Sequence, residues 1–315
     1  MTTTSIITDA GIDAPKLPPR IAPTSKRKAR VARGLVMPAL LVSIFLTQIP
    51  FLVTIVVSFL NWNQLRPGDI AFAGFQNYLS VFSSPDFLES LWATVLITGS
   101  SVILSLVFGL GFALLMDRHF LGQGIARTLL ITPFLVMPAA ASLIWKFLML
   151  DVNVGMVNVA LGAIGLPPVA WNTDLPPATI IILMTWQFTP FMMLILLAGL
   201  QSQDKGVLEA ASVDGAGPLR IFRYMTLPHL RQYIEIAVLL GGIMLLQLFD
   251  PIAIMTKGTG GTKTLPYLLY ERAFIGLDIG QAAAFGVITV IITLAVASIA
   301  LRSLFKVFVE GKVRD

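Results

Sequence analysis

The chain has 315 residues, 56% of them hydrophobic and only 12% charged, where soluble domains carry about 45–50% and about 25%. With a mean hydropathy of +0.83, this excludes an ordinary soluble domain. The absence of cysteine excludes disulfides, thiolate metal sites and Cys nucleophiles, and His119 and His229 are too scattered for a metal cluster. The net charge of +5 does not mark a nucleic-acid-binding protein, because the basic residues flank apolar runs and form no single patch.

Residues 1–34 are a polar tail closing on Lys26, Arg27, Lys28, Arg30 and Arg33. This leader and the apolar run after it are both too long for a cleaved secretory signal. The expectation is a tail, disordered over most of residues 1–30, feeding an uncleaved first helix. Apolar runs follow near 35–60, 92–116, 128–149, 177–200, 234–256 and 281–305. Each has about the 20 residues that cross a ~30 Å hydrocarbon core as a helix. Pro133 and Pro138 interrupt the third, which membrane helices tolerate when neighbours satisfy the freed carbonyls. The predicted fold is therefore an all-α integral membrane domain over 35–307, ending in a short segment, 308–315.

Orientation follows from the basic residues. With both termini inside, 17 of the 22 Lys and Arg residues lie in the tail, the 117–127 and 201–233 loops and the C-terminal end. The remainder are Arg66, Lys146, Lys257, Lys263 and Arg272. Trp62, Trp92, Trp145 and Trp171 fall near the outer ends of helices, where amphipathic rings favour the headgroup region. The reading is a multi-pass bacterial inner-membrane protein with both termini in the cytoplasm. Of the outer loops, Trp62–Leu91 is turn-rich (Pro67-Gly68, Ser84-Pro85) and Leu166–Pro177 holds four prolines. The Gly258–Thr264 stretch lacks the adjacent Gly-Lys pair of a phosphate-binding loop and reads as a flexible outer loop that touches a binding protein.

The 201–233 loop is long and predicted to be cytoplasmic. It reads as two short helices joined at Gly215–Pro218, with Leu208, Ala211 and Ser212 on one face. Gly-Ala-Gly-Pro allows a bent backbone and a helix restart at Pro218. A small, Ala-rich helix suits close approach to another protein better than it suits chemistry.

Here the sequence resembles the permease subunits of binding-protein-dependent ABC importers. Their signature is Glu-Ala-Ala, three residues, Gly, nine residues, Ile, one residue, Leu-Pro. Glu209, Ala210, Ala211, Gly215, Leu227 and Pro228 match at that spacing, and Met225 stands where Ile is usual. Gly74 with Asn77-Tyr78, then Thr185-Trp186, Phe249-Asp250, Thr256 with Gly258, and Ala282-Ala283-Ala284 resemble the carbohydrate group of that family. Within it the chain looks like a maltose/glycerol-3-phosphate-type first permease, most similar to the sorbitol/mannitol-type sugar and polyol importers. The resemblance implies the type I (MetI-like) permease fold. It also implies a complex with a second homologous permease, two copies of a cytoplasmic ATP-binding subunit and an external solute-binding protein. The ATP and Mg are then used by the partner ATPase, and this subunit is not an enzyme. Glu209, Ala210, Ala211, Asp214, Gly215, Leu227 and Pro228 become the ATPase-coupling element.

Polar or aromatic groups inside spans are candidates for a solute path, since intramembrane polar groups are costly. These are Gln187, Thr189 and Phe191 in the fourth run and Gln247 and Asp250 in the fifth. Positions matching the family's sugar contacts fall on Gln187, Phe188, Phe191, Gly241, Met244, Leu245, Leu248 and Asp250. The implied cargo is a sugar, sugar alcohol or small glycoside, with an anionic sugar derivative as the alternative. An ion-coupled secondary transporter would want ionisable groups at the midplane, and the spans offer mainly Asp250. A membrane enzyme would need clustered acid/base or metal residues, and none appear.

Overall fold

The computed structural model describes residues 26–66 and 68–312. The tail of residues 1–25 and Pro67 of the expected Pro67-Gly68 turn lie outside the described residues. The described residues fall into two compact units, one ending at Leu52 and the other starting at Val53. The first is a single stretch of helix α1, Lys26–Ser58. The helix already includes Lys26–Arg33, so this basic cluster begins the first helix and does not belong to an irregular tail. Leu41, Phe45 and Leu46 are exposed along it, as expected of a surface facing hydrocarbon.

In the second unit, α1 ends at Ser58 and a two-residue antiparallel ladder, Leu60–Asn61 with Ala71–Phe72, precedes α2 (Gln76–Ser83) and α3 (Pro85–Met116). The third apolar run is split into α4 (Gln123–Leu135) and α5 (Pro138–Ile144), the latter continuing as a π-helical turn to Met149. Then come α6 (Met156–Ala163), α7 (Trp171–Asp174) and α8 (Pro176–Gln201). The short α9 (Lys205–Val213) and α10 (Pro218–Ile221) lead through a π-helical turn into α11 (Leu227–Leu246). A π-helical turn at Ile252–Thr256, α12 (Leu265–Tyr270) and α13 (Ile279–Lys312) complete the chain.

Among the described residues, five helices are long and apolar enough to cross a membrane, and the expected six is reached when the bent pair Gln123–Leu135 and Pro138–Met149 counts as one span. That pair departs from the sequence expectation of a continuous helix, being bent by 99°. Met137, directly before Pro138, is extended (φ −56°, ψ 134°), as a residue preceding proline prefers. The fifth span also differs from the predicted 234–256. It runs Pro218–Leu246, so α10 is its first turn and not a separate loop helix, and residues 247–256 form a broken connection.

Both breaks free carbonyls, and buried side chains from neighbouring elements receive them. Gln187 Nε2 donates to Val136 O at 2.8 Å. Thr98 Oγ1 donates to Leu245 O at 3.3 Å, and Thr264 Oγ1 to Leu248 O at 3.2 Å. In hydrocarbon an unsatisfied carbonyl costs several kcal/mol, so the Gln187 and Thr264 donors make the breaks tolerable, while Leu245 O also accepts from Leu248 N at 3.2 Å.

The core sits where α8 crosses α3 and α11. Ile180, Leu183, Met184 and Met192 of α8 pack with Ile97 of α3 and Ala237 and Leu245 of α11, all fully buried or nearly so. Lipid tails are as apolar as these side chains, so packing must hold the helices together, and small residues at crossings permit it.

Candidate functional site

Helix α9 is held by local chemistry. The Asp204 carboxylate caps its N-terminus, accepting from Gly206 N at 2.8 Å, which satisfies one of the free first-turn amides. At the other end Gly215 takes φ +84°, Ala216 N donates to Ala211 O at 3.0 Å and Gly215 N to Ser212 O at 3.1 Å. This is the paired 6→1 and 5→2 closure of a Schellman cap, which favours glycine in the left-handed position. The predicted bend is therefore centred on Gly215, and a new Cβ there meets nothing within 4 Å. Substitution is resisted by backbone strain alone.

None of α9 or α10 is buried. Glu209, Ala210, Asp214 and Gly215 are exposed, Ala211 is half-buried, and Val207 (51%), Val213 (87%) and Leu219 (78%) leave apolar surface open. Gly217, Leu219, Arg220, Arg223 and Tyr224 border a shallow recess of about 400 Å³ beside it. Leu227 and Pro228 open α11. Pro228 has no N–H to give the turn before it, and the helix there widens into the π-helical turn Phe222–Thr226, closed by Leu227 N onto Phe222 O. The signature's two halves are thus one exposed helix and the reshaped start of a span.

Among the described residues, the proposed path residues fall in different surroundings. Gln187 is 2% exposed and committed to Val136, while its Oε1 has no partner. Phe188, Leu245 and Leu248 belong to the core cluster. Gly241 is buried, and a Cβ on it would lie 2.3 Å from Met192 Cε. Thr189, with Thr185 and Trp186, lines a separate apolar recess of about 560 Å³ against α3 and α4. Met244 and Gln247 are exposed, and Phe191 and Asp250 half-buried. Phe191 stacks on Phe134 at 5.2 Å and Phe188 stands edge-on to Phe134 at 6.0 Å. Phe134 was not singled out from the sequence, and its position next to Pro133 was the available signal.

Two further motifs have structural employment. Asn77 Nδ2 donates to Ser58 O and Leu60 O at 2.9 and 2.8 Å, and Tyr78 OH meets Ser58 Oγ at 2.6 Å. The Asn-Tyr pair therefore fastens α2 to the end of α1. The Gly258–Thr264 stretch, expected to be flexible, is instead packed. Thr256, Thr262 and Thr264 are buried, and the Thr256 and Thr262 hydroxyls meet at 2.7 Å. Among the described residues no group of three or more His, Asp or Glu is placed to hold a metal.

No family model matches the chain. Curated relatives do. The probable ABC transporter permease protein y4oQ of Sinorhizobium fredii is 36% identical over 296 residues, covering 91% of this chain and 96% of its own. The trehalose/maltose transport system permease protein MalF of Thermococcus litoralis is 31% identical over 280 residues, covering 88% and 94%. In fold the chain is similar to a subunit of a bacterial ABC transporter involved in the import of the acidic polysaccharide alginate, with a TM-score of 0.75 at 19% identity over 89% of this chain and 96% of that one. The chain belongs to the permease subunits of sugar ABC importers. It is a multi-pass membrane transport subunit and not itself an enzyme.

Proposed function

We propose that the chain is the first permease of an importer carrying a sugar, sugar alcohol or small glycoside, and that α9 is where a cytoplasmic ATPase grips it. The observation that carries this is an exposed helix bearing Glu209, Ala210 and Ala211, fixed in place by its own caps between the ends of α8 and α11. Among the described residues, Val207 and Val213 of its apolar surface stay exposed. The basic-residue bias supports a cytoplasmic position for this loop and both termini.

In this reading two ATPase copies engage α9 and the equivalent helix of a second homologous permease. ATP binding draws the two helices together and opens the bundle outward, an external binding protein delivers solute, and hydrolysis resets the inward state. The ATP and Mg chemistry belongs to the ATPase. The relative from Thermococcus litoralis is named for trehalose/maltose transport, which supports a sugar-type cargo.

Leu240 and Met244 of α11 and Gln247 just past its end, spaced i, i+4 and i+7, are all exposed. They are suited to face the second permease, with Phe191 and Asp250 at the margin of a shared path. Gln187, Phe188, Gly241, Leu245 and Leu248 would then shape the path from behind. The test is solute-stimulated ATP hydrolysis by the reconstituted complex, using its binding protein and a panel of disaccharides, polyols and anionic sugar derivatives. Stimulation by neutral members supports the reading. Stimulation by anionic members alone replaces the cargo, and dependence of uptake on an ion gradient without ATP overturns it.

A further inference from the structure

Outside the signature, four residues meet at the base of the loop. Ser202 follows the end of α8, and His229 and Tyr233 lie one turn apart in the first turns of α11. Ser202 Oγ donates to Gly199 O at 2.8 Å, lies 3.1 Å from His229 Nε2 and 2.8 Å from Tyr233 OH. His229 Nε2 also lies 3.1 Å from Gly199 O. The proton count closes without a charge. A hydroxyl donates once and accepts twice, so Ser202 gives its proton to Gly199 O and accepts from Tyr233 OH and from a His229 Nε2–H shared with Gly199 O.

Contact is as close as it can be. A Cβ on Gly199 would stand 2.7 Å from the Tyr233 ring and 2.8 Å from Leu230 Cδ2, and the His229 and Tyr233 rings are 5.9 Å apart at 37°. The loop carrying α9 thus leaves α8 and enters α11 at one hydrogen-bonded point. By contrast, α9 itself buries no residue. Without that point, a force on α9 could swing the loop about residues 202–204 and leave α8 behind.

We propose that Ser202, His229 and Tyr233 form a clasp that makes α9, α8 and α11 move as one lever, and that they are positioning residues for coupling without touching the ATPase. The inference rests on the reading of α9 as the ATPase dock. Net worth per hydrogen bond corresponds to a factor of roughly 2 to 12 in an equilibrium. Breaking the His229 contacts should therefore lower solute moved per ATP hydrolysed by about threefold to tenfold.

The experiment uses the whole complex in proteoliposomes with its binding protein, comparing wild type, His229→Phe and His229→Gln. Phenylalanine keeps the ring and removes the donor. Glutamine places an amide nitrogen the same number of bonds from Cβ as Nε2 and restores it. The ATPase recovered with each permease is measured beside the transport-to-hydrolysis ratio. Full ATPase recovery in all three, a depressed ratio for phenylalanine and a ratio restored by glutamine supports the clasp. An unchanged ratio in His229→Phe, or an equal fall in both variants, overturns it while leaving the dock intact. If His229→Phe sheds the ATPase, the residue belongs to the dock and the clasp is likewise rejected. Loss of ATPase from wild type as well removes the dock reading first.

Discussion

The side-chain amide of Gln187 reaches across from α8 to the carbonyl of Val136 at 2.8 Å, at the point where the third span turns through 99°. A polar group inside a span invites a solute-binding reading, and here its nitrogen is already engaged by the backbone. Both roles fit together if Oε1, buried without a partner, is the face that remains for the path.

Removing that bracket should therefore destabilise before it desensitises. Gln187→Ala leaves Val136 O unpaired, a loss of about 1–3 kcal/mol. The expected outcome is a complex that still assembles, with a lower thermal midpoint and reduced uptake. Thermal unfolding of the solubilised complex beside uptake at limiting solute checks it. An unchanged midpoint with reduced uptake would make Gln187 a solute ligand alone.

The break after α11 makes a parallel case. Thr264→Val is near-isosteric and leaves Leu248 O without its donor, with an expected cost of about 1–3 kcal/mol. Lys263→Ala, next to it, removes only a half-exposed pair with Glu271 and should cost about 1 kcal/mol or less. The two midpoints, measured side by side, should differ in that order.

Much of this was legible in the sequence, and the failures share a cause. Hydropathy found all six runs because length and apolar content are local properties. It could not end the fifth run at Leu246, because the residues that permit the stop, Thr98 and Thr264, lie far away in sequence. Pro133 and Pro138 announced a disturbance without its size, since proline is compatible with a kink or with a break. The bend at Gly215 was legible because a cap is local, acting within one turn of α9. The packing of the path candidates was not legible, because a polar residue in a span serves backbone or solute equally well by composition: Gln187 bonds Val136 O, and Phe188, Leu245 and Leu248 pack in the core.

Gly280 is a position the sequence reading passed over. A Cβ there would stand 2.2 Å from Leu60 O and 3.1 Å from Asn77 Nδ2, inside the bracket that fastens α2 to α1. Gly280→Ala should displace Asn77 and match the loss expected of Asn77→Ala, about 2 kcal/mol or more as two carbonyls lose their donor. Expression level and thermal midpoint of both variants and their combination check it. The double variant should be little worse than either single, because the two share one site.

Orientation can be read by labelling, since the native chain has no cysteine. A cysteine at exposed Gly68 should react with an impermeant thiol reagent added to intact spheroplasts, and one at exposed Lys205 should react only after permeabilisation. Equal labelling at both would sink the assignment of both termini to the cytoplasm.

The central claim is that α9 docks the ATPase, and the most direct measurement is ATPase recovered on pulling down this permease from membranes, with uptake followed in the same cells. Gly215→Val forces a branched side chain into φ +84°, which L-residues resist, and Glu209→Lys reverses a charge on the exposed helix. Neither residue lies within a candidate span. Both variants should insert at wild-type levels, lose most of the co-purified ATPase and transport at background. Normal ATPase recovery and normal uptake in both variants would contradict the account.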